Sequence, residues 1–342
     1  MMARPNRKHA LPRIPLNTFA IGFGIAGLAA VWSAETAALG LPGVVPVVLW
    51  SGAAVAWVWL IVAHTVRGAR SRETLASQLT HPAQGPIAAI VPIIGMLLGA
   101  QLHAVWPVGG TILALVSLVV AAGFAGWILA FWHTGRLNPE AFHGAYLLPT
   151  VAAALIACTV CAKLGLPLIA MGAFAVGCFF WVVLVTVLLS RLAFFPPLPG
   201  PLTPTLAILL APPAVAGTAW FALNGVRADA ISACLLGLLA VMILVQLFLI
   251  PVYRRLSFTL GFWSFTFPVA AAAAYGIEWL SLAAFDGWKI VAVLVGLVPT
   301  AVIVAVGIRS IVLVSSVRRG ARRAEQSLRH ADDVVTRPTA RV

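Results

Sequence analysis

The chain has 342 residues, of which 62% are hydrophobic and only 9% charged. A soluble domain carries about a quarter charged residues, so this composition excludes a soluble globular protein and reads as an integral membrane protein. The formal net charge is +13, but the cations sit at the ends of apolar segments and no aromatic nucleic-acid-binding motif accompanies them, which excludes a nucleic-acid partner.

A membrane-crossing helix needs about 20 predominantly apolar residues. Ten such segments follow one another, at 15–38, 44–66, 85–105, 108–132, 141–162, 166–190, 203–223, 229–252, 258–281 and 288–316. Turn signals separate them, at Leu41-Pro42-Gly43, Trp106-Pro107, Gly165-Leu166-Pro167 and from Phe195 to Gly200. The first segment follows a basic leader (Arg4, Arg7, Lys8, Arg13) and has the outline of a signal peptide. Its apolar part extends past Trp32 and carries Gly22, Gly24 and Gly27, a pattern suited to close helix packing, so it is read as a retained span.

The distribution of Lys and Arg sets the expected topology. With the N-terminus inside, Lys163, Arg227 and Lys289 are the cations expected outside, and the rest of the 22 fall on the cytoplasmic side. Both termini are therefore expected in the cytoplasm, the protein lying in a bacterial inner membrane. Residues 1–14 read as a basic cytoplasmic N-terminus, 15–317 as the ten-helix membrane domain and 318–342 as a basic cytoplasmic tail. In that tail Arg318, Arg319, Arg322 and Arg323 would lie on anionic lipid headgroups, and the chain past Asp332 is expected to be disordered.

Prolines recur once per pair of segments, at Pro92, Pro149, Pro212 and Pro268, in segments three, five, seven and nine. A proline removes one backbone donor and crowds the carbonyl four residues earlier, so these helices are expected to kink. Segments two, four, six and eight lack a mid-span proline; segment ten breaks the rule with Pro299, and segment one has glycines instead. The chain thus reads as five helical hairpins, each with one bent and one straight member. The economical all-α arrangement is an inner ring of five kinked odd helices around a pore, with five even helices outside. A solid bundle whose kinks only assist packing is the alternative.

Chemistry-bearing residues are sparse. No carboxylate sits in the middle of a span, and Glu35 and Glu278 lie near the outer ends. His64, His103 and His143 lie near span ends and show no metal-ligand spacing. Cys158 and Cys161 have CxxC spacing without a second pair, and read as small packing residues. No enzyme, metal or cofactor is expected. The distinctive stretch is Phe258–Ile277, where Phe262, Phe265 and Phe267 crowd the approach to Pro268 with Ser264 and Thr266 among them. Bulky rings at a bend are a candidate plug in a membrane path; a buried helix–helix contact is the plainer reading.

Three stretches carry a resemblance to a known family. They are Phe23-Gly24-Ile25 with Gly27, Leu28 and Trp32; the run from Leu209 through Pro212-Pro213 to Trp220; and, most specifically, Phe262-Trp263-Ser264-Phe265-Thr266-Phe267-Pro268. Together they resemble the tellurite-resistance/dicarboxylate transporter family, which includes bacterial TehA, fungal malate and sulfite transporters and plant guard-cell slow anion channels. The resemblance implies five inner helices around a pore, a homotrimer with one pore per subunit, and occlusion by the phenylalanine that precedes the helix-nine proline. By that motif the gate here is Phe267. Candidate lining residues are Phe19, Phe23, Thr150, Thr205, Phe262, Ser264 and Phe265. The implied function is an anion channel or channel-like transporter for small inorganic or carboxylate anions. One alternative is a proton-coupled carrier for C4-dicarboxylates, sulfite or tellurite, which needs a titrating group among Glu35, Glu278, His64, His103 and His143. Another is a membrane scaffold or sensor without flux.

Overall fold

The computed structural model describes residues 13–135 and 137–336. Arg4, Arg7, Lys8 and Arg136, and the tail beyond Thr336, lie outside the described residues. Among the described residues there are ten helices long and apolar enough to cross a membrane, and no strand. The spans, numbered here in chain order, are Leu16–Leu39, Val44–Ala69, Gly85–His103, Pro107–His133, Gly144–Lys163, Pro167–Phe194, Thr203–Asn224, Ala230–Tyr253, Leu260–Ala283 and Trp288–Ser316. These bounds fall within a few residues of those expected, because hydropathy and turn chemistry both mark the ends.

The chain divides into two units, the first ending at Ile303 and the second starting at Val304. The second is the continuation of the last helix, which runs unbroken from Trp288 to Thr336. That helix carries the basic cluster at 318–323 and ends past Asp332.

Burial alternates along the first nine spans. In spans one, three, five, seven and nine, 50% to 78% of the most apolar stretch is buried inside the protein; in spans two, four, six and eight the share is 11% to 22%. The even spans expose rows of large aliphatic residues, such as Val116, Val119, Val120 and Leu244, as a lipid-facing surface requires.

The odd spans also differ in backbone. Each opens on a 3-10 segment, at Leu16–Phe19, Gly85–Ala89, Gly144–Leu147, Thr203–Leu210 and Leu260–Phe265. Each then turns α-helical, from Ala20, Ile90, Ala153, Ala211 and Thr266; in span five a π-helical turn, Leu148–Ala152, intervenes. Spans two, four, six and eight are continuous α-helix.

The expected proline kinks are thus changes of helix type. Pro92, Pro212 and Pro268 lie in the first turn of their α-helices and Pro149 in the π-turn. A first-turn proline loses no intrahelical donor. The carbonyl four residues before it still needs a partner, and the tighter 3-10 winding supplies one. The Ala211 N–H donates to the Ile208 carbonyl ahead of Pro212, and the Leu148 N–H to the Ala145 carbonyl ahead of Pro149. Span one makes the same change without a mid-span proline, so its glycines do not stand in for one.

Those glycines set helix approach. A Cβ on Gly24 would lie 2.9 Å from the Thr266 Cβ, and one on Gly27 would lie 3.1 Å from both Ala270 and the Phe267 ring. Gly217 of span seven plays the same part against the fully buried Tyr275 ring. That ring is fixed by its hydroxyl, which donates to the Ser232 carbonyl at 2.7 Å.

At the entry to span five, His143 is fully buried and its Nδ1 accepts from the Ala145 N–H at 3.4 Å. Nearby, Arg191 donates from Nε and Nη2 to the Glu140 carbonyl at 3.1 and 2.9 Å. Burial pushes the His143 imidazole down to about 4; the Pro82 carbonyl offsets part of this, and the Arg191 charge lowers it further. The folded protein therefore resists a proton that the unfolded chain accepts near pH 6.5. His143 should contribute stability that is complete above about pH 6.5 and lost as the pH falls towards about 4, on the order of 3 kcal/mol in all. Thermal unfolding of detergent-solubilised protein across that range checks this: His143→Asn should flatten the slope, and an unchanged slope contradicts the assignment.

Candidate functional site

Two cavities lie along the odd spans. The first has a volume of about 270 Å³ and is lined where those spans begin. Its wall comes from Asn17, Ala20 and Phe23 of span one, Ile87 and Ile90 of span three, Ala145, Leu147, Leu148, Ala152 and Leu155 of span five, Thr205, Ile208, Ala211, Pro212 and Val215 of span seven, and Leu260, Gly261, Trp263, Ser264, Phe267 and Pro268 of span nine. None of its lining residues is charged. Its polar side chains are the hydroxyls of Thr205, Thr259 and Ser264, the amides of Asn17 and Gln84 and the indole of Trp263. Gln84 is anchored by the Leu16 N–H, which donates to Oε1 at 3.2 Å, whereas Asn17 Oδ1 is buried without a hydrogen-bond partner.

The second cavity, of about 290 Å³, lies where the odd spans end. Ser33, Gln101, Thr159, Lys163, Thr218 and Glu278 reach it, with Trp50 of span two. Val215 and Phe267 are the residues common to both walls.

Phe267 therefore stands between the two spaces. Its ring is 8% exposed and stacks on Phe23 of span one, with centroids 3.7 Å apart and planes at 11°. The helix change of span nine sets this position. Thr259 accepts from the Gly261 N–H at 3.2 Å and starts the 3-10 segment. The Thr266 hydroxyl donates to the Trp263 carbonyl at 2.7 Å at the join. Phe267 and Pro268 follow in the first turn of the α-helix.

Of the sequence candidates, Phe23, Thr205, Ser264 and Phe267 meet at the first cavity, with Pro212 and Pro268 in its wall. The others lie outside both linings. Phe19 packs edge-on against His64, Phe262 sits between Phe258 and Phe265, and Phe265 also lies edge-on against Tyr253. Thr150 is 2% exposed, its hydroxyl buried without a partner. The period of three to four residues explains this: Phe262 and Phe265 precede Phe267 on a tighter 3-10 winding, which turns them to another face. Pro92 and Pro149 shape the backbone without entering either lining.

Sequence reasoning placed Lys163 in an outer loop, whereas it closes span five and lines the second cavity. Gln101 and Thr218, weakly polar residues inside spans three and seven, line the same cavity. Helical spacing relates several residues of this wall: Phe267, Ala271, Ala274 and Glu278 share one face, as do Ile156, Thr159, Val160 and Lys163. All eight line the second cavity. Cys158 and Cys161 lie in an apolar cluster with Ala170 and Ala219. Glu35 is 2% exposed in span one, its Oε1 buried against Gly296 without a hydrogen-bond partner.

Residues 13–311 match the family model described as SLAC1, voltage-dependent anion channel. The chain is also 24% identical over 261 residues to a protein of Haemophilus influenzae named a tellurite resistance protein TehA homolog, a likeness that covers 76% of this chain and 79% of that one.

Two spaces separated by one ring should be reachable from opposite faces. With the four native cysteines replaced, Ser264→Cys should react with a membrane-impermeant thiol reagent only from the face where the odd spans begin. Gln101→Cys should react only from the other face. Labelling of both from one side contradicts the separation.

Proposed function

The chain belongs to the SLAC1, voltage-dependent anion channel, family, and from that premise we propose a passive anion pathway through the odd spans, closed at mid-membrane by the Phe267 ring. The observation that carries this reading is the place of Phe267 in the walls of both cavities.

Physical chemistry supports an anion and a wet route. A bare ion in a medium of low dielectric costs tens of kcal/mol, so the path must hold water, and each cavity has room for several molecules. The first cavity offers hydroxyls and amides without a carboxylate that would retain a cation. An apolar ring across such a route excludes water and stops conduction without touching the ion. Under this proposal the odd spans begin on the cytoplasmic side, as the distribution of basic residues favours. Each subunit of a homotrimer would then carry its own path.

A coupled carrier is the second reading, favoured by Glu278, a carboxylate in the second cavity. The relative named for tellurite resistance makes tellurite, an oxyanion, a reasonable probe beside chloride, nitrate and malate.

Phe267→Ala separates these readings. Lowering a barrier by about 1.4 kcal/mol raises a rate tenfold, so removing the ring should raise anion conductance in planar bilayers by about tenfold or more, with no dependence on a proton gradient. Conductance no higher than wild type overturns the gate. Flux that needs a proton gradient and disappears in Glu278→Gln favours the carrier.

A further inference from the structure

We propose that the second cavity holds a binding site for one small inorganic anion, made by the Lys163 ammonium and the Gln101 side-chain amide, with Glu278 as a built-in competitor that keeps the anion from staying. The proposal rests on the anion-conducting reading above and extends it to a named site.

Lys163 and Glu278 are the charged residues among those lining the two cavities, and both face the second. They belong to different spans, five and nine. Among the described residues the two form no ion pair within 4.0 Å, although both line one cavity. That is an arrangement with space between the partners.

The remaining hydrogen-bonding capacity decides which ligand fits. The Thr218 hydroxyl donates to Glu278 Oε2 at 3.4 Å, so Thr218 positions the carboxylate and has no proton left for a ligand. The Thr159 hydroxyl donates to the Leu155 carbonyl at 3.3 Å, and Ser33 donates to the Ala29 carbonyl at 2.7 Å while accepting from Trp50 Nε1 at 3.1 Å. The Gln101 side chain makes no hydrogen bond among the described residues, which leaves its two amide protons available. The free donors of the cavity are therefore an ammonium and an amide. A halide or a small oxyanion uses both, and a cation uses neither.

A lone ammonium in the cavity, even one exposed at the end of span five as Lys163 is, would hold an anion too well for transport, since conduction needs a site that is entered readily and left readily. The Glu278 carboxylate, which lines the same cavity, repels the same anion and so shortens its stay. Lys163 and Glu278 should thus act in opposite directions on anion affinity.

The test uses the purified full-length protein and nitrate, with gluconate holding ionic strength constant. Ligand that binds the folded state raises the unfolding temperature. Nitrate should stabilise wild type and Lys163→Arg, and should leave Lys163→Met unmoved. In Glu278→Gln the same stabilisation should appear at about three- to tenfold lower nitrate. Equal stabilisation of Lys163→Met and wild type overturns the site, as does an absence of nitrate response in every protein. If Lys163→Met does not fold, an unchanged nitrate requirement in Glu278→Gln overturns it instead. None of these readouts needs conduction, so the site can fail while Phe267→Ala conducts, and the gate can fail while nitrate binds.

Discussion

Everything at the centre of this protein follows from how closely span one approaches span nine. Helices in a bilayer gain no hydrophobic advantage from meeting, so their contact depends on small residues that admit the partner backbone. Gly24 and Gly27 admit it here: a Cβ at Gly27 would lie 3.3 Å from the Cα of Phe267 itself. That approach lays Phe23 face to face on Phe267 at 3.7 Å, nearer than the 4.5 to 7 Å at which aromatic pairs usually settle. Backbone packing holds the two rings in register and seats Phe267 between two cavities.

The second constraint is how a membrane protein makes room. Irregular backbone is tolerated at this depth only where protein or water satisfies its polar groups. Before Pro149 and Pro212 the odd spans meet that condition by tightening into 3-10 turns, where a neighbouring N–H takes the carbonyl the proline leaves. The even spans, continuous and apolar towards lipid, need no such device. The same change of winding separates residues that look alike in sequence. Phe262 and Phe265 turn towards Phe258 and Tyr253, while Phe267, in the first turn of the regular helix, meets Phe23.

The spans were legible because hydropathy over about 20 residues is a strong signal, and the proline recurrence correctly marked four of the five special helices. Span one carries no such mark, since its 3-10 start at Leu16–Phe19 depends on contacts such as the bond from the Leu16 N–H to Gln84, far along the chain. Phe267 stood out through the motif around Pro268. Its partner Phe23 was one name among seven, because a stacked pair is a tertiary fact. Lys163 and Glu278 were counted as charges near the outer face, and only the shared cavity brings them together. The second cavity was nonetheless written in the helical spacing from Phe267 to Glu278, which counting by hydropathy alone does not reveal.

Under the proposed reading the Phe267 ring closes the route between the two cavities. The most direct measurement is an electron cryomicroscopy structure of Phe267→Ala in a lipid nanodisc. The account predicts that the two cavities merge into a single continuous passage through spans one, three, five, seven and nine, with Phe23 left in place on span one. Two separate cavities in that variant, closed by main chain or by residues other than position 267, would contradict it.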